Sequence, residues 1–229
     1  MLEVIEDDIG MWRVFKKAGD FFKDFLRVFR HISEDLEMYL KLDPAAESKL
    51  HVFLFYPAFQ GLMMYRFANF FYRWKVKFLA YLLHYLMRVL YAMDIHPAAR
   101  IAPGVVIDHG IGVVIGSTAS VGRGTLIYHG VTLGTKHPCT GKRHPDVGEN
   151  VILGAGAKIL GPIKVGNNAI VGANAVVVRD VPENAVVVGV PARLVKWRGS
   201  SDGGKTDREH PNREPEFCGL EDILETGEK

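Results

Sequence analysis

The sequence predicts an α+β protein in which an N-terminal α-helical region leads into a parallel β-helix of six-residue repeats. Three observations lead there. From Ile95 onward an aliphatic residue returns every six positions. Upstream, aromatic and aliphatic residues fall near helical spacing, with no Gly between Gly19 and Gly61. Beyond Trp197 the composition turns to Gly, Ser, Asp, Lys, Glu and Pro. These divide the 229 residues into a helical region over 1–93, a β-helix over 94–197 and a polar tail over 198–229 that is expected to be disordered.

In the helical region, Phe15, Phe21, Phe22, Phe25, Leu26 and Phe29 mark one apolar face. Ser33 followed by Glu34 and Asp35 predicts a helix start, a capping hydroxyl with acids in the first turn. Pro44 disfavours helix at the residue before it, so Leu42-Asp43-Pro44 predicts a break. A further helix is expected from about Ala45, another over Pro57 to Trp74, and an apolar one that ends before Asp94. Val76 to Met93 is the strongest membrane candidate, but Lys77, His84 and Arg88 recur within it. Charges near the centre of a bilayer are costly, so a buried or interface helix is expected.

The six-residue period is neither the two of a half-buried strand nor the 3.6 of an amphipathic helix. It suits one short strand plus one corner, so that three hexads close a triangular coil and each aliphatic stacks over its equivalent one coil below. A lone coil buries too little, and the roughly five coils expected exceed the three such arrays need. The aliphatic positions are Ile95, Ile101, Ile107, Ile115, Val121, Ile127, Leu133, Val147, Leu153, Ile159, Val165, Val171 and Val177, about half of them followed by Gly. Those glycines are expected to supply positive φ at the corners. The count breaks twice. Eight positions separate Ile107 from Ile115, around Asp108-His109-Gly110, and fourteen separate Leu133 from Val147, a stretch that contains Arg143-His144-Pro145. Leu220 to Leu224, in the tail, is expected to form one turn of helix.

Composition excludes little chemistry but bounds the setting. With 48% hydrophobic and 24% charged residues the chain reads as an ordinary globular protein. A net charge of +2, with the basic residues scattered, argues against nucleic acid as a partner. Cys139 and Cys218 lack metal-ligand spacing and suit a reducing compartment; with an acidic N-terminus, the cytoplasm is expected.

The two interruptions are where candidate chemistry lies. Asp94 precedes His109 by fifteen positions, close to one coil, which predicts that the two meet on adjacent coils of one face. A carboxylate on one imidazole nitrogen fixes the tautomer and leaves the other as a base able to take a proton from a hydroxyl. Arg143 and His144 pair a guanidinium fork with a second imidazole, a combination suited to a carboxylate. Lys136, Lys142 and Lys158 add local positive charge that would attract a phosphate-bearing co-substrate. His129 and His137 lie near these loops and are read as structural or peripheral.

Several runs together carry a resemblance: Asp94-Ile-His-Pro-Ala-Ala, Ile107-Asp-His-Gly-Ile-Gly-Val-Val-Ile-Gly, Gly130-Val-Thr-Leu-Gly, Lys142-Arg-His-Pro, Gly154-Ala-Gly-Ala-Lys-Ile-Leu-Gly and Gly189-Val-Pro-Ala-Arg, with Asp43-Pro-Ala-Ala, Tyr56-Pro-Ala-Phe and Tyr65-Arg66 upstream. Over roughly residues 33–196 the chain resembles serine O-acetyltransferase, of the hexapeptide-repeat acyltransferases. The resemblance implies a left-handed β-helix, a homotrimer with active sites between neighbouring subunits, and acetyl-CoA as co-substrate, with no metal. It leaves a dimer of trimers open. By match to the family's motifs His109 would be the general base on the L-serine hydroxyl and Asp94 its orienting carboxylate. Asp43 and Asp108 would hold the ammonium, Arg143 and His144 the carboxylate. Gly134, Thr135, Ala155 and Ala173 would contact acetyl-CoA, the Gly134 turn also supplying oxyanion N–H groups. Thr135 stands where the family usually has Gly, which would be strained at positive φ. Many members insert a C-terminal Ile into O-acetylserine sulfhydrylase; this sequence ends Gly227-Glu-Lys, so that partnership is not expected. Two other functions remain open from the residues: acetylation of another hydroxyl such as a sugar's, with His137 or His109 as base, and a non-catalytic β-helix used for assembly.

Overall fold

The computed structural model describes residues 2–198, and side chains from residue 17 onward. Four helices come first: α1 (Leu2–Leu42), α2 (Lys49–Phe55), α3 (Pro57–Arg73) and α4 (Lys77–Tyr91). Ser33 does not start a helix, since α1 runs through it. The break at Asp43-Pro44 is present, and the next helix begins at Lys49 instead of near Ala45. Ser48 caps it, its Oγ accepting from the His51 N–H at 3.1 Å. Among the described residues no helix is long and apolar enough to cross a membrane. The tail beyond Arg198, with the turn of helix expected at Leu220 to Leu224, lies outside the described residues.

From Asp94 the chain winds through five coils of short parallel strands. Strands β1 (Asp94–Ile95), β4 (Val114–Ile115), β7 (Thr132–Gly134), β10 (Lys158–Leu160) and β13 (Val176–Val177) stack into a first face. Strands β2 (Arg100–Ile101), β5 (Ser120–Val121), β8 (Asp146–Val147) and β11 (Lys164–Val165) make a second. The third holds β3 (Val106–Asp108), β6 (Leu126–Tyr128), β9 (Ile152–Leu153), β12 (Ile170–Val171) and β14 (Ala185–Val188), closed by the antiparallel β15 (Arg193–Trp197).

Every aliphatic of the six-step series is buried. A second inward residue lies two positions earlier in most hexads, as in Ala99, Val105, Val113, Ala119, Val131, Val151, Ala157 and Ala169, all fully enclosed. The glycines that follow the aliphatics serve a different purpose from the one expected. They are not at positive φ; that conformation falls two residues later, at Gly104, Gly124, Asn150, Asn168 and Asn184 on one corner. Their role is close approach: a Cβ on Gly154 would lie 2.6 Å from the Ala173 backbone nitrogen in the next coil.

The first coil has no coil beneath it, and its unpaired backbone groups are met by helix side chains. The Tyr39 hydroxyl donates to the Ile107 carbonyl (2.7 Å) and accepts from the Ile107 N–H (3.1 Å). The Tyr65 hydroxyl does the same between the Ala99 carbonyl (2.7 Å) and the Ile101 N–H (3.2 Å). Arg66 donates to the carbonyls of Ile101 and Ala102 and makes a two-pronged pair with Asp35, whose carboxylate also accepts from the Gly104 N–H. The Asn69 amide donates to the carbonyls of Pro97 and Ala99. Buried backbone groups left unpaired are costly, so the helices act as the end cap of the solenoid.

Arg66→Ala would leave Asp35 as a buried, unpaired charge, and a loss of about 3–5 kcal/mol is expected by denaturant titration; the exposed Arg73–Asp24 pair, cut the same way, should cost under about 1 kcal/mol. Burial, reinforced by the Arg66 guanidinium, lowers the His31 pKa to about 4 from an ordinary 6.5. The unfolded chain therefore binds the proton first, and the stability contributed by neutral His31 is complete above pH 6.5 and lost as pH falls toward 4. The thermal midpoint should drop across that window and drop less in His31→Gln; an identical slope in the variant would contradict the assignment.

Candidate active site

The two interruptions of the repeat stand at opposite edges of the first face. Residues 109–113 turn the corner from the third face into the first, and residues 135–145 the corner from the first into the second. One chain therefore presents two separate clusters.

At the first corner Asp108 ends β3 and His109 follows with φ of 59°, a left-handed conformation that is strained for a bulky residue. It is fixed by its neighbours. The Gly110 N–H reaches the Asp108 carbonyl (2.7 Å), the Gly112 N–H reaches Ala92 (2.9 Å), and Tyr39 clamps Ile107 just upstream. A Cβ on Gly110 would meet Met93 Sδ at 2.8 Å and Ala58 at 3.0 Å, so the loop lies tight on the start of α3. The His109 side chain is 74% exposed, with Nε2 3.9 Å from Asp108 Oδ1. Asp43, just past α1, accepts from the Ala45 N–H (2.8 Å) and bonds the Tyr56 phenol. Burial first, then Asp43 and Asp108, hold that phenol above its ordinary pKa range. His109, Asp108 and Asp43 thus share one corner.

His129, read from sequence as structural or peripheral, lies in this cluster. Asp108 pairs with Tyr128, which stacks His129 over His109 with ring centroids 5.9 Å apart. The same register continues upward: Ile127 pairs with Leu153 and Leu153 with Val171, so Ala155 and then Ala173 stand above His129. The column rises from two imidazoles to two methyl groups.

The second corner gathers Arg143 and His144. His144 is 7% exposed, its ring lying where a Gly116 Cβ would be 2.1 Å away. The Arg143 guanidinium touches the Cys139 carbonyl (3.4 Å) and Ser117 Oγ (3.3 Å). Lys142 anchors the loop through Asp146 Oδ1 and the Thr118 carbonyl, both at 2.7 Å. Gly134 ends β7 below this loop, and its carbonyl accepts from the Gly161 N–H (3.0 Å). Thr135 is not among the residues at positive φ, so the strain expected there is absent; its hydroxyl donates to the His137 carbonyl.

Asp94 does not meet His109 within the chain. Its carboxylate is held by His84 Nε2 at 2.7 Å and Arg88 Nε at 3.5 Å, both from α4. The expectation fails because the first coil is twenty residues long, Asp94 pairing with Val114, and fifteen residues lead to a different corner. Asp94 instead looks out from the first face near His96, whose pKa is lowered by burial and then by His84. In the sequence His84 and Arg88 stand out only as charges within an apolar helix and Tyr56 only as part of the resemblance, with no expected role at the site, and Thr118 not at all. Register alone would have pointed to Thr118, because Ser120 pairs with Asp146 and so Thr118 lies beside His144.

A profile described as "Bacterial transferase hexapeptide (six repeats)" matches residues 144–179. The serine acetyltransferase of Synechococcus elongatus is 47% identical over 172 residues, covering 75% of this chain and 70% of the relative. The structure of Neisseria gonorrhoeae serine acetyltransferase in complex with serine superposes with a TM-score of 0.72 at 40% identity, covering 75% of this chain and 70% of that one. The Brucella abortus serine acetyltransferase in complex with coenzyme A gives 0.76 at 36% identity, covering 79% and 72%. Repeat, fold and identity over most of both chains agree: this chain, a left-handed β-helix behind a helical cap, belongs to the serine acetyltransferase family of acyltransferases.

Proposed function

We propose that the protein transfers the acetyl group of acetyl-CoA to the hydroxyl of L-serine, giving O-acetylserine and CoA, by general-base catalysis without a covalent enzyme intermediate. The relatives bound to serine and to coenzyme A support the two substrates. The observation that carries the reading is the charge division between the corners. Asp43 and Asp108 at one suit an ammonium group; Arg143 and His144 at the other suit a carboxylate. An amino acid brings one of each.

A single chain holds these corners at opposite edges of a face, so the complete site is built where the first corner of one subunit docks against the second corner of the next in a homotrimer. Two features support this assembly. Acceptor and cofactor candidates are split alike, Ala155 and Ala173 rising above His109 while Gly134 and Thr135 lie with His144. The outer side of α4 also leaves Phe78, Tyr85, Val89 and Leu90 exposed, an apolar surface suited to burial against another subunit. Asp94 stands on the face between the corners, and its orienting role toward His109 is therefore exercised across the boundary, on His109 of the partner subunit.

In the reaction His109 removes the hydroxyl proton as the serine oxygen attacks the thioester carbonyl. The tetrahedral oxyanion takes hydrogen bonds from backbone N–H groups near Gly134. Collapse breaks the carbon–sulfur bond, and the proton held by His109 passes to the departing thiolate. The small Ala155 and Ala173 side chains leave room for the pantetheine arm along the coils.

Thiol release from acetyl-CoA should depend on serine, with homoserine and simple sugars poor acceptors. His109→Ala should lower kcat by roughly 10²–10⁴-fold, and Arg143→Ala should mainly raise the serine KM. A sugar accepted better than serine, or an unimpaired His109→Ala enzyme, would contradict the proposal.

A further inference from the structure

The His144 ring has its two nitrogens in different settings, and the difference is built by one residue. Nδ1 lies 3.2 Å from the Thr118 backbone N–H. A backbone N–H only donates, so Nδ1 must present its lone pair. The Thr118 hydroxyl leads to the same conclusion by another route. Its oxygen accepts two backbone N–H groups, those of Arg143 and His144, each at 3.1 Å. With its lone pairs so engaged, its hydrogen is directed at Nδ1, 2.8 Å away. Two donors converge on one ring nitrogen, and the proton of the neutral imidazole is forced onto Nε2.

Nε2 is left open. It has no hydrogen-bond partner among the described residues, and it is not among the fully enclosed polar atoms that lack one. The ring edge carrying it fits only because residue 116 is Gly. Charging the ring would set an Nδ1–H against a backbone N–H that cannot turn away. That steric and electrostatic conflict adds to the burial and the nearby Arg143 and Lys142 charges, which lower the His144 pKa to about 4.

We infer that Thr118 is a positioning residue that locks His144 as a neutral Nε2–H donor, so that His144 recognises the acceptor's carboxylate and takes no part in proton transfer. The inference rests on the acetyl transfer to serine proposed above and adds to it the device that sets carboxylate specificity. A carboxylate offers only lone pairs, and a fixed N–H beside the Arg143 fork meets one oxygen without any titration step between pH 5 and 8. One hydroxyl thus aligns both members of the Arg143-His144 pair, since it holds both of their backbone N–H groups.

The test uses the intact protein labelled with ¹⁵N-histidine. The His144 signals, identified by their loss in His144→Gln, should report an unprotonated Nδ1 and a protonated Nε2 throughout pH 5–8. Thr118→Val should raise the serine KM roughly tenfold, the worth of one hydrogen bond to a charged group, and leave the acetyl-CoA KM unchanged. Thr118→Ser should restore the serine KM. A protonated Nδ1 in the unaltered protein would overturn the inference, as would a serine KM untouched by Thr118→Val or both KM values rising together. Should Thr118→Val fail to fold, the spectrum and Thr118→Ser decide. An unaltered protein that does not acetylate serine would defeat the proposed activity, yet its ¹⁵N spectrum would still judge the tautomer.

Discussion

Backbone hydrogen bonds between successive coils fix everything else in this structure. Each strand is held in register to the strand one coil below, and the aliphatic column inside admits no slip, because a shift by one residue would turn every inward side chain outward. Regular coils advance by eighteen residues, as from Ile152 to Ile170. Extra residues are tolerated only at corners, where they bulge from the array without disturbing the column, and so Ser120 pairs with Asp146 and Val121 with Val147 across the long loop. Position in space then follows position within the coil. His109 and His129 share a corner, as do Thr118 and His144, and no local rearrangement could carry His109 across the face to Arg143.

An array of stacked coils has two exposed ends, and the helical region answers the lower one. Tyr39, Tyr65, Arg66 and Asn69 complete hydrogen bonds that a further coil would have made. The same contacts place function. Tyr39 pins Ile107 two residues before His109, and the helix bearing it ends at Leu42, which delivers Asp43 to the corner. The upper end is closed by β15 folding back on β14. Cap and site are in this sense one construction: the interactions that stop the solenoid from being an open edge also set the backbone conformation at the candidate base.

Much of this was legible in the residues. The hexad series located the inward column without error, and both breaks in the count fell at the loops that carry the candidate chemistry. Counting hexads could have gone further, since Asp94 belongs to the first hexad of its coil and His109 to the corner after the third. Simple sequence separation hid that, and the expected Asp94–His109 contact within one chain failed for this reason. Other features had no local signal. Ser33 offers a capping hydroxyl, but α1 continues because Val28, Ile32, Asp35 and Tyr39 on either side of it face the core, and tertiary burial outweighs a capping preference. The glycines after the aliphatics looked like turn formers; only the distance to the next coil reveals them as points of close approach.

If a working site takes one corner from each of two chains, activity lost in two single variants should return when they assemble together. His109→Ala and His144→Ala chains, each inactive or weakly active alone, would be unfolded together and refolded, or co-expressed, and assayed for serine-dependent thiol release. Random mixing should return activity in about a quarter of the sites, those that draw His109 from one variant and His144 from the other. Mixed assemblies no more active than the two variants kept apart would show instead that each site lies within a single chain.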